Sequence, residues 1–174
     1  YGRIHSEFGY MKQTVNPLNF YALSKATVDY WVQDHMDEFE LVQGFRYFNV
    51  YGEGEAHKGH QMSPISKFTE QAKEERIIKI FEDSEYAFRD FVCVDDIVDV
   101  VLNNDKGSGI YDIGTGEPIS FEAVAELIAE KEGAEIEKIP FPENLKGKYQ
   151  EYTCADNSWY KHDYTSVSDY LKNK

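Results

Sequence analysis

The stretch that decides the fold reads LVQGFRYF at residues 41–48. It is β-prone, and it follows a segment from Phe20 to about Phe39 in which apolar side chains recur at helical spacing. Further helices are predicted at 64–75, 97–103 and 121–131, and further strands at 77–81, 88–94, 109–114 and 136–141. Because helices alternate with short apolar strands, the sequence predicts an α/β fold with a largely parallel sheet.

Polar residues at two of these boundaries predict helix caps. Asp95 and Asp96 stand before the helix at 97–103, where carboxylates would also suit the positive end of the helix dipole. Ser120 stands before the helix at 121–131 and is a typical N-cap.

Composition excludes some partners and leaves others open. The chain of 174 residues carries 18 Lys and Arg against 32 Asp and Glu, a formal charge of −14. Such acidity argues against nucleic acid and anionic membrane surfaces but is compatible with a small anionic ligand in a local basic pocket. No apolar run approaches the roughly 18 residues of a membrane span. Cys93 and Cys154 lie too far apart to suggest a disulfide framework, so a cytoplasmic location is expected.

The sharpest local signal for chemistry is Tyr21 followed by Lys25. Residues four apart share one helix face, so the hydroxyl and the ammonium can address one site. Proton transfer at an alcohol during hydride transfer requires such a pair, since an ammonium favours the phenolate. Tyr and Lys at this spacing also occur by chance on many helices, so the pair alone leaves both interpretations open.

Four blocks, taken in order, add context. Residues 17–25, 44–52, 89–96 and 110–116 resemble the second half of the extended short-chain dehydrogenase/reductase family, which comprises nucleotide-sugar epimerases and dehydratases. The resemblance implies the second half of a Rossmann-type parallel sheet interleaved with a small α/β sugar-nucleotide-binding domain. It assigns 1–51 and 88–115 to a partial cofactor domain, and 52–87 and 116–174 to the substrate-binding domain.

Other segments are similar to the family members that act on ADP-heptose. They lie at 54–59, 81–84, 139–142 and 145–150. This resemblance implies an isomerase that inverts C6 of an ADP-linked heptose by transient oxidation, with bound NADP, or NAD as the alternative. A homo-oligomer is also implied.

The resemblance also implies roles for individual residues. Tyr21 and Lys58 would be the two acid/base groups, and Lys25 would bind the nicotinamide ribose. All three, together with Val50, would contact the cofactor. Positions that line the ADP-heptose pocket in the family are occupied here by Asn49, His60, Lys67, Phe81, Glu82, Asp83, Ser84, Arg89 and Tyr149. Arg89 is the best anion partner because a guanidinium matches a diphosphate, although a buried pairing with Asp90 is the alternative.

Other candidates have simpler interpretations. His57 and His60 are expected to be exposed loop residues rather than metal ligands, because no third ligand lies nearby in sequence. Cys93 is expected to be a buried thiol. Val28, Trp31 and Val32 are expected in the core, with part of that helix face at a subunit interface.

One family feature does not occur in the sequence. No G-x-G-x-x-G segment joins a strand to a helix, and in the family that segment precedes this region. We therefore expect a chain that has the Tyr-Lys pair and the sugar pocket but lacks most of the cofactor site. Two alternatives stay open: a non-catalytic sugar-nucleotide-binding or oligomerising fragment, and an epimerase or dehydratase for another nucleotide-sugar.

Overall fold

The computed structural model describes residues 3–5, 14–17, 19–143 and 150–174. Five α-helices alternate with strands in this part of the chain: α1 Phe20–Asp34, α2 Pro64–Glu74, α3 Val94–Asn103, α4 Phe121–Glu132 and α5 Val167–Lys172. Short 3-10 segments span Met36–Glu38, Glu55–Gln61 and Ser84–Tyr86. None of the described helices combines the length and the apolar character that a membrane span requires.

The strands of the described residues pair mostly in parallel. They are β1 Arg3–His5, β2 Thr14–Asn16, β3 Gln43–Tyr47, β4 Asn49–Tyr51, β5 Ile77–Phe81, β6 Phe88–Arg89, β7 Phe91–Cys93, β8 Gly109–Ile113, β9 Ile119–Ser120 and β10 Glu135–Ile139. Strands β3 and β8, β4 and β7, and β5 and β10 form parallel pairs. Strands β1 and β2, and β6 and β9, pair antiparallel. The predicted α/β class with parallel strands is confirmed.

Strand β7 separates two hydrophobic clusters. Phe91 and Cys93 pack with α2, α4, α5 and β5, whereas the intervening Val92 packs with Ile97, Val100 and Ile113. Successive side chains of a strand point to opposite faces, so β7 is buried on both. Burial of both faces is typical of a strand inside a parallel sheet.

Local sequence explains the ends of several helices. Ser63 accepts a hydrogen bond from the Ser66 N–H before α2, and Ser120 accepts one from the Ala123 N–H before α4. Gly133 ends α4 with a left-handed φ of 68°. The predicted cap at Ser120 and the predicted buried thiol at Cys93 are confirmed.

Two predictions were wrong. Helix α3 begins at Val94 with Cys93 at its N-cap, so Asp95 and Asp96 occupy its first turn. The Asp96 carboxylate instead accepts a hydrogen bond from the Thr165 N–H at 2.8 Å. Val28 and Trp31, expected in the core, are exposed, because α1 turns Ala22, Ala26 and Asp29 inward instead.

Candidate active site

Helix α1 carries the Tyr21–Lys25 pair near its N-terminus. The Asn19 side chain caps the helix by accepting a hydrogen bond from the Ala22 N–H at 2.8 Å. Lys25 Nζ lies 5.3 Å from the centre of the Tyr21 ring, and Tyr21 is 71% exposed. Among the described residues, no hydrogen bond or ion pair engages the Tyr21 hydroxyl or the Lys25 ammonium. Both side chains are exposed.

Strand β4 places Asn49 and Val50 beside β7. The Asn49 N–H donates to the carbonyl oxygen of Asp90 at 2.9 Å, and Asp90 directly follows Arg89 in the chain. Val50 pairs with Val92 in register and packs against the second cluster. The parallel pairing therefore brings predicted cofactor and substrate positions next to the strand that carries Arg89.

Residues 81–84 form the turn that leaves β5. The Glu82 N–H donates to the Ile139 carbonyl oxygen at 2.8 Å, which ties the turn to β10. Asp83 adopts a left-handed φ of 62°, a conformation that few residues other than glycine tolerate. Ser84 is only 5% exposed, and its Oγ has no hydrogen-bond partner among the described residues. A buried hydroxyl without a partner is costly unless a bound molecule satisfies it.

Arg89 is buried and held against an aromatic ring. Its guanidinium carbon lies 5.5 Å from the centre of the Phe121 ring, and its Nη1 donates to the Phe88 carbonyl oxygen at 2.7 Å. Stacking on a ring and a backbone hydrogen bond fix a guanidinium plane in one orientation. Arg89 is thus rigidly placed.

The neighbouring Asp90 joins three segments. It is fully buried; Oδ1 accepts from the Thr115 N–H and hydroxyl, and Oδ2 accepts from the N–H groups of Gly116 and Ala155. Gly114 leaves room for this carboxylate, because a Cβ at that position would lie 2.6 Å from Oδ2. Asp90 therefore connects the strand after Arg89 to the segments that follow β8 and precede α5.

Lys58 is paired with a buried carboxylate. Its Nζ lies 3.0 Å from Oε1 of Glu55, which is 7% exposed. Glu55 also accepts hydrogen bonds from Ser63 and Ser66. Burial raises the pKa of Glu55, but the hydrogen bonds from Ser63, Ser66 and Lys58 together hold the pKa below its ordinary value.

The other predicted substrate residues have less defined surroundings. His60 is exposed, and Lys67 is half-buried in the first turn of α2, where its N–H donates to the Ser63 carbonyl oxygen. Phe81 contacts Phe141 edge-on, with ring centres 5.4 Å apart. The position of Tyr149 lies outside the described residues.

Contacts join some of the predicted residues into three groups. Tyr21 and Lys25 contact each other, Asn49 lies next to the Arg89–Asp90 segment, and Glu55 links Lys58 to the turn before Lys67. Within the described ranges, no hydrogen bond or ion pair joins the Tyr21–Lys25 pair to the other two groups. A cavity of about 570 Å³ lies elsewhere, between the β8–β9 connection and the segment before α5, and none of the predicted residues lines it.

Two histidines were considered as metal ligands. His57 and His60 are both exposed, as expected, and a ring nitrogen of His57 lies 2.7 Å from the Gly54 carbonyl oxygen. In the part of the chain that the structure describes, no three His, Cys, Asp or Glu side chains form a metal-binding group.

Sequence reasoning missed Glu55 and Asp90. The signal for Glu55 is its spacing, three residues before Lys58, within the segment at 54–59, where the resemblance implied a catalytic role for Lys58 but none for Glu55. Asp90 was considered only as a partner for Arg89. Its hydrogen bonds reach residues up to 65 positions away, which no local pattern indicates.

Residues 1–114 match the NAD dependent epimerase/dehydratase family. The chain therefore belongs to that family. It is 44% identical over 152 residues to the ADP-L-glycero-D-manno-heptose-6-epimerase of Alkalilimnicola ehrlichii, a match that covers 82% of this chain and 48% of that protein. The chain thus spans about half the length of that curated relative.

Solved structures share the fold. The ADP-L-glycero-D-manno-heptose-6-epimerase of Helicobacter pylori superposes with a TM-score of 0.79 at 23% identity, covering 98% of this chain and 54% of that one. The UDP-glucose 4-epimerase of Thermotoga maritima, solved with UDP-glucose, superposes with a TM-score of 0.72 at 27% identity over 87% of this chain and 50% of that one. These likenesses identify the Rossmann-like α/β architecture.

Proposed function

We propose that this chain supplies the acid/base and sugar-nucleotide-binding residues of an epimerase that inverts C6 of an ADP-linked glycero-manno-heptose. The observation that carries the proposal is the 44% identity to a heptose 6-epimerase over 152 residues. Residues 1–51 and 88–115 would serve the cofactor, and 52–87 and 116–174 the sugar nucleotide.

The cofactor that we propose is NADP, with NAD as the alternative. A nicotinamide dinucleotide, when bound, supplies a hydride acceptor that can also return the hydride. The described residues fit its nicotinamide end, because Lys25 and Tyr21 lie side by side and no hydrogen bond or ion pair within that part of the chain engages their polar groups. The sequence holds no G-x-G-x-x-G segment, so the proposal for these residues is confined to the nicotinamide end of the cofactor.

Two proton-transferring side chains suit an inversion. Oxidation at C6 removes a hydride from carbon and a proton from the hydroxyl. Return of the hydride to the opposite face of the carbonyl carbon, with a proton to its oxygen, inverts the centre without net redox change. Tyr21 would move the proton on one face and Lys58 on the other. Lys25 would orient the ribose and favour the Tyr21 phenolate.

The buried polar groups of residues 81–89 support a nucleotide pocket. The Ser84 hydroxyl has no hydrogen-bond partner in the described part of the chain, and Arg89 is held by Phe121 and the Phe88 carbonyl. A fixed guanidinium can bind a diphosphate in two hydrogen bonds without ordering a flexible side chain. Asn49, His60, Lys67, Phe81, Glu82, Asp83 and Tyr149 would complete the pocket.

The test is an NMR assay of ADP-heptose epimers with the full-length gene product that contains this chain. We expect Tyr21→Phe and Lys58→Met each to lower turnover by about a hundredfold or more. Ser24→Ala, on the same helix and directly before Lys25, is the matched control and should retain turnover, because within the described residues its exposed Oγ bonds only the Tyr21 carbonyl. Normal turnover in both site variants would refute the two-base assignment.

The same assay, with a measurement of cofactor binding, distinguishes an enzyme for another nucleotide-sugar from a non-catalytic protein. The likeness to a UDP-glucose 4-epimerase supports including UDP-glucose in the same assay. Turnover of UDP-glucose but not of ADP-heptose would keep the class of enzyme and change the sugar. A protein that neither retains nor binds NADP(H), read from absorbance at about 340 nm, would instead be a non-catalytic binding module.

A further inference from the structure

We infer that Glu55 is a positioning residue that holds the Lys58 ammonium for proton transfer. This inference rests on the proposed function, in which Lys58 is an acid/base group. Neither the sequence pattern nor the resemblance assigned Glu55 a role.

The Glu55 carboxylate is anchored at the start of α2. Its Oε2 accepts hydrogen bonds from the hydroxyls of Ser63 at 2.6 Å and Ser66 at 2.5 Å. Its Oε1 accepts one from the Ser63 N–H at 3.2 Å. Since the same Ser63 hydroxyl caps α2, the carboxylate is fixed to the first turn of an 11-residue helix.

Lys58 is much less constrained without this carboxylate. Its side chain is 39% exposed, whereas that of Glu55 is 7% exposed. The two residues are three apart in a 3-10 segment, which has three residues per turn, so their side chains share one side of it. Gly59 follows at once with a non-helical φ of 51°, where the 3-10 segment is kinked. The ion pair is therefore what orients the lysine.

Most of the hydrogen bonds to the Glu55 carboxylate come from α2 and not from Lys58. Three of the four hydrogen bonds to the Glu55 carboxylate come from the rigid start of α2, and the fourth comes from Lys58 Nζ at 3.0 Å. A carboxylate needed only for folding would be satisfied by the serines. Through the fourth bond, the anchored carboxylate holds the exposed Lys58 ammonium in a fixed position, as a catalytic group requires.

A double-mutant cycle in the full-length gene product tests the inference. We expect Glu55→Gln to lower kcat for ADP-heptose epimerisation by about tenfold to a hundredfold, with KM within about twofold, because a misplaced group loses rate and not binding. Lys58→Met should lower kcat by about a hundredfold or more. The double variant should lose no more than Lys58→Met alone, because Glu55 acts through Lys58.

The matched control is Glu53→Gln. Glu53 is an exposed carboxylate two residues away that pairs with Lys174, so its replacement should leave kcat unchanged. Wild-type kcat in Glu55→Gln, or losses that multiply in the double variant, would overturn the inference. Full turnover in Lys58→Met would instead overturn the two-base assignment on which it rests.

A second measurement does not depend on turnover. Acylation of lysines in the intact protein, read by mass spectrometry, should label Lys58 about threefold faster in Glu55→Gln than in wild type, because the ion pair is lost. Lys79, paired with Glu75 at 3.1 Å, is the internal reference and should not change. Equal labelling of Lys58 in both proteins would show that Glu55 does not hold it.

Folding is checked by thermal unfolding of each variant. If Glu55→Gln has no cooperative transition, Glu55→Asp replaces it in the cycle, since the shorter side chain keeps the charge. Its reach to both the serines and Lys58 is shortened by one methylene. We expect the same drop in kcat without further loss in combination with Lys58→Met, and multiplying losses would again overturn the inference.

Discussion

Arg46 Nε donates a hydrogen bond to Asp29 Oδ2 at 2.7 Å, which joins β3 to α1. Arg46 also faces its register partner on β8, Asp112, at 3.6 Å. Burial raises the pKa of Asp112, and Arg46 partly offsets that rise. One guanidinium thus fixes the helix of the Tyr21–Lys25 pair to a parallel strand pair.

Loss of this link should destabilise the protein. We expect Asp29→Asn to lower the free energy of unfolding by about 2 kcal/mol, because both partners are mostly buried and the Arg46 guanidinium loses the nearer of its two carboxylates, Asp29 and Asp112. Urea denaturation measures the change. Glu75→Gln, which removes an exposed partner of Lys79, is the control and should change it by less than about 0.5 kcal/mol. Equal effects of the two variants would contradict the prediction.

Replacement of Asp90 should destabilise the protein more than replacement of Asp29. In Asp90→Asn one oxygen becomes an amide NH₂ that faces N–H donors, so we expect a loss of about 3 kcal/mol in unfolding free energy. Chemical denaturation tests this, with the exposed Asp105→Asn as a control that should have almost no effect. A near-neutral Asp90→Asn would mean that the four hydrogen bonds contribute little.

Low pH should reduce the stability of the folded protein partly through protonation of Glu55. Because the folded pKa of Glu55 lies below its ordinary value of 4.5, its contribution to stability is fully present above about pH 5. That contribution is lost as the pH falls through the depressed pKa, since the unfolded chain binds the proton first. Thermal melting between about pH 6 and pH 3 should show a shallower decline for Glu55→Gln than for wild type. Identical slopes would contradict the prediction.

The two cysteines should react slowly with thiol reagents in the folded protein. Burial raises the pKa of both Cys93 and Cys154, so little thiolate is present near neutral pH. Cys93 is the more buried and should react more slowly. A disulfide-exchange reagent at about pH 8 measures the rates. Urea should expose both thiols at once, and fast labelling of native Cys93 would refute its place in the core.

Local patterns predicted most elements and missed the long-range contacts. Strand β5 lies at 77–81 as predicted, and α4 follows the predicted Ser120 cap. Asp96 was predicted as a cap, but its carboxylate binds Thr165, 69 positions later. Val28 and Trp31 follow a helical apolar pattern yet are exposed, because periodicity identifies an apolar face without identifying what covers it.

The candidate site was predictable where the family resemblance supplied a motif. Such residues include Tyr21, Lys25, Lys58 and Arg89, whose roles stay predictions. Glu55 was not predicted, because its proposed role depends on hydrogen bonds from Ser63 and Ser66. These bonds form only when the start of α2 packs against the 3-10 segment. Contacts of this kind arise from packing and leave no periodic signal.

The parallel strand pairs have a consequence for how the chain folds. Gln43 pairs with Gly109, Ile77 with Glu135, and Asn49 with Phe91, so every described parallel pair must close a long loop before it forms. Such high contact order slows folding. During synthesis, β3, β4 and β5 emerge before their partners and expose unpaired edges. The protein should therefore depend on chaperones when it is produced quickly.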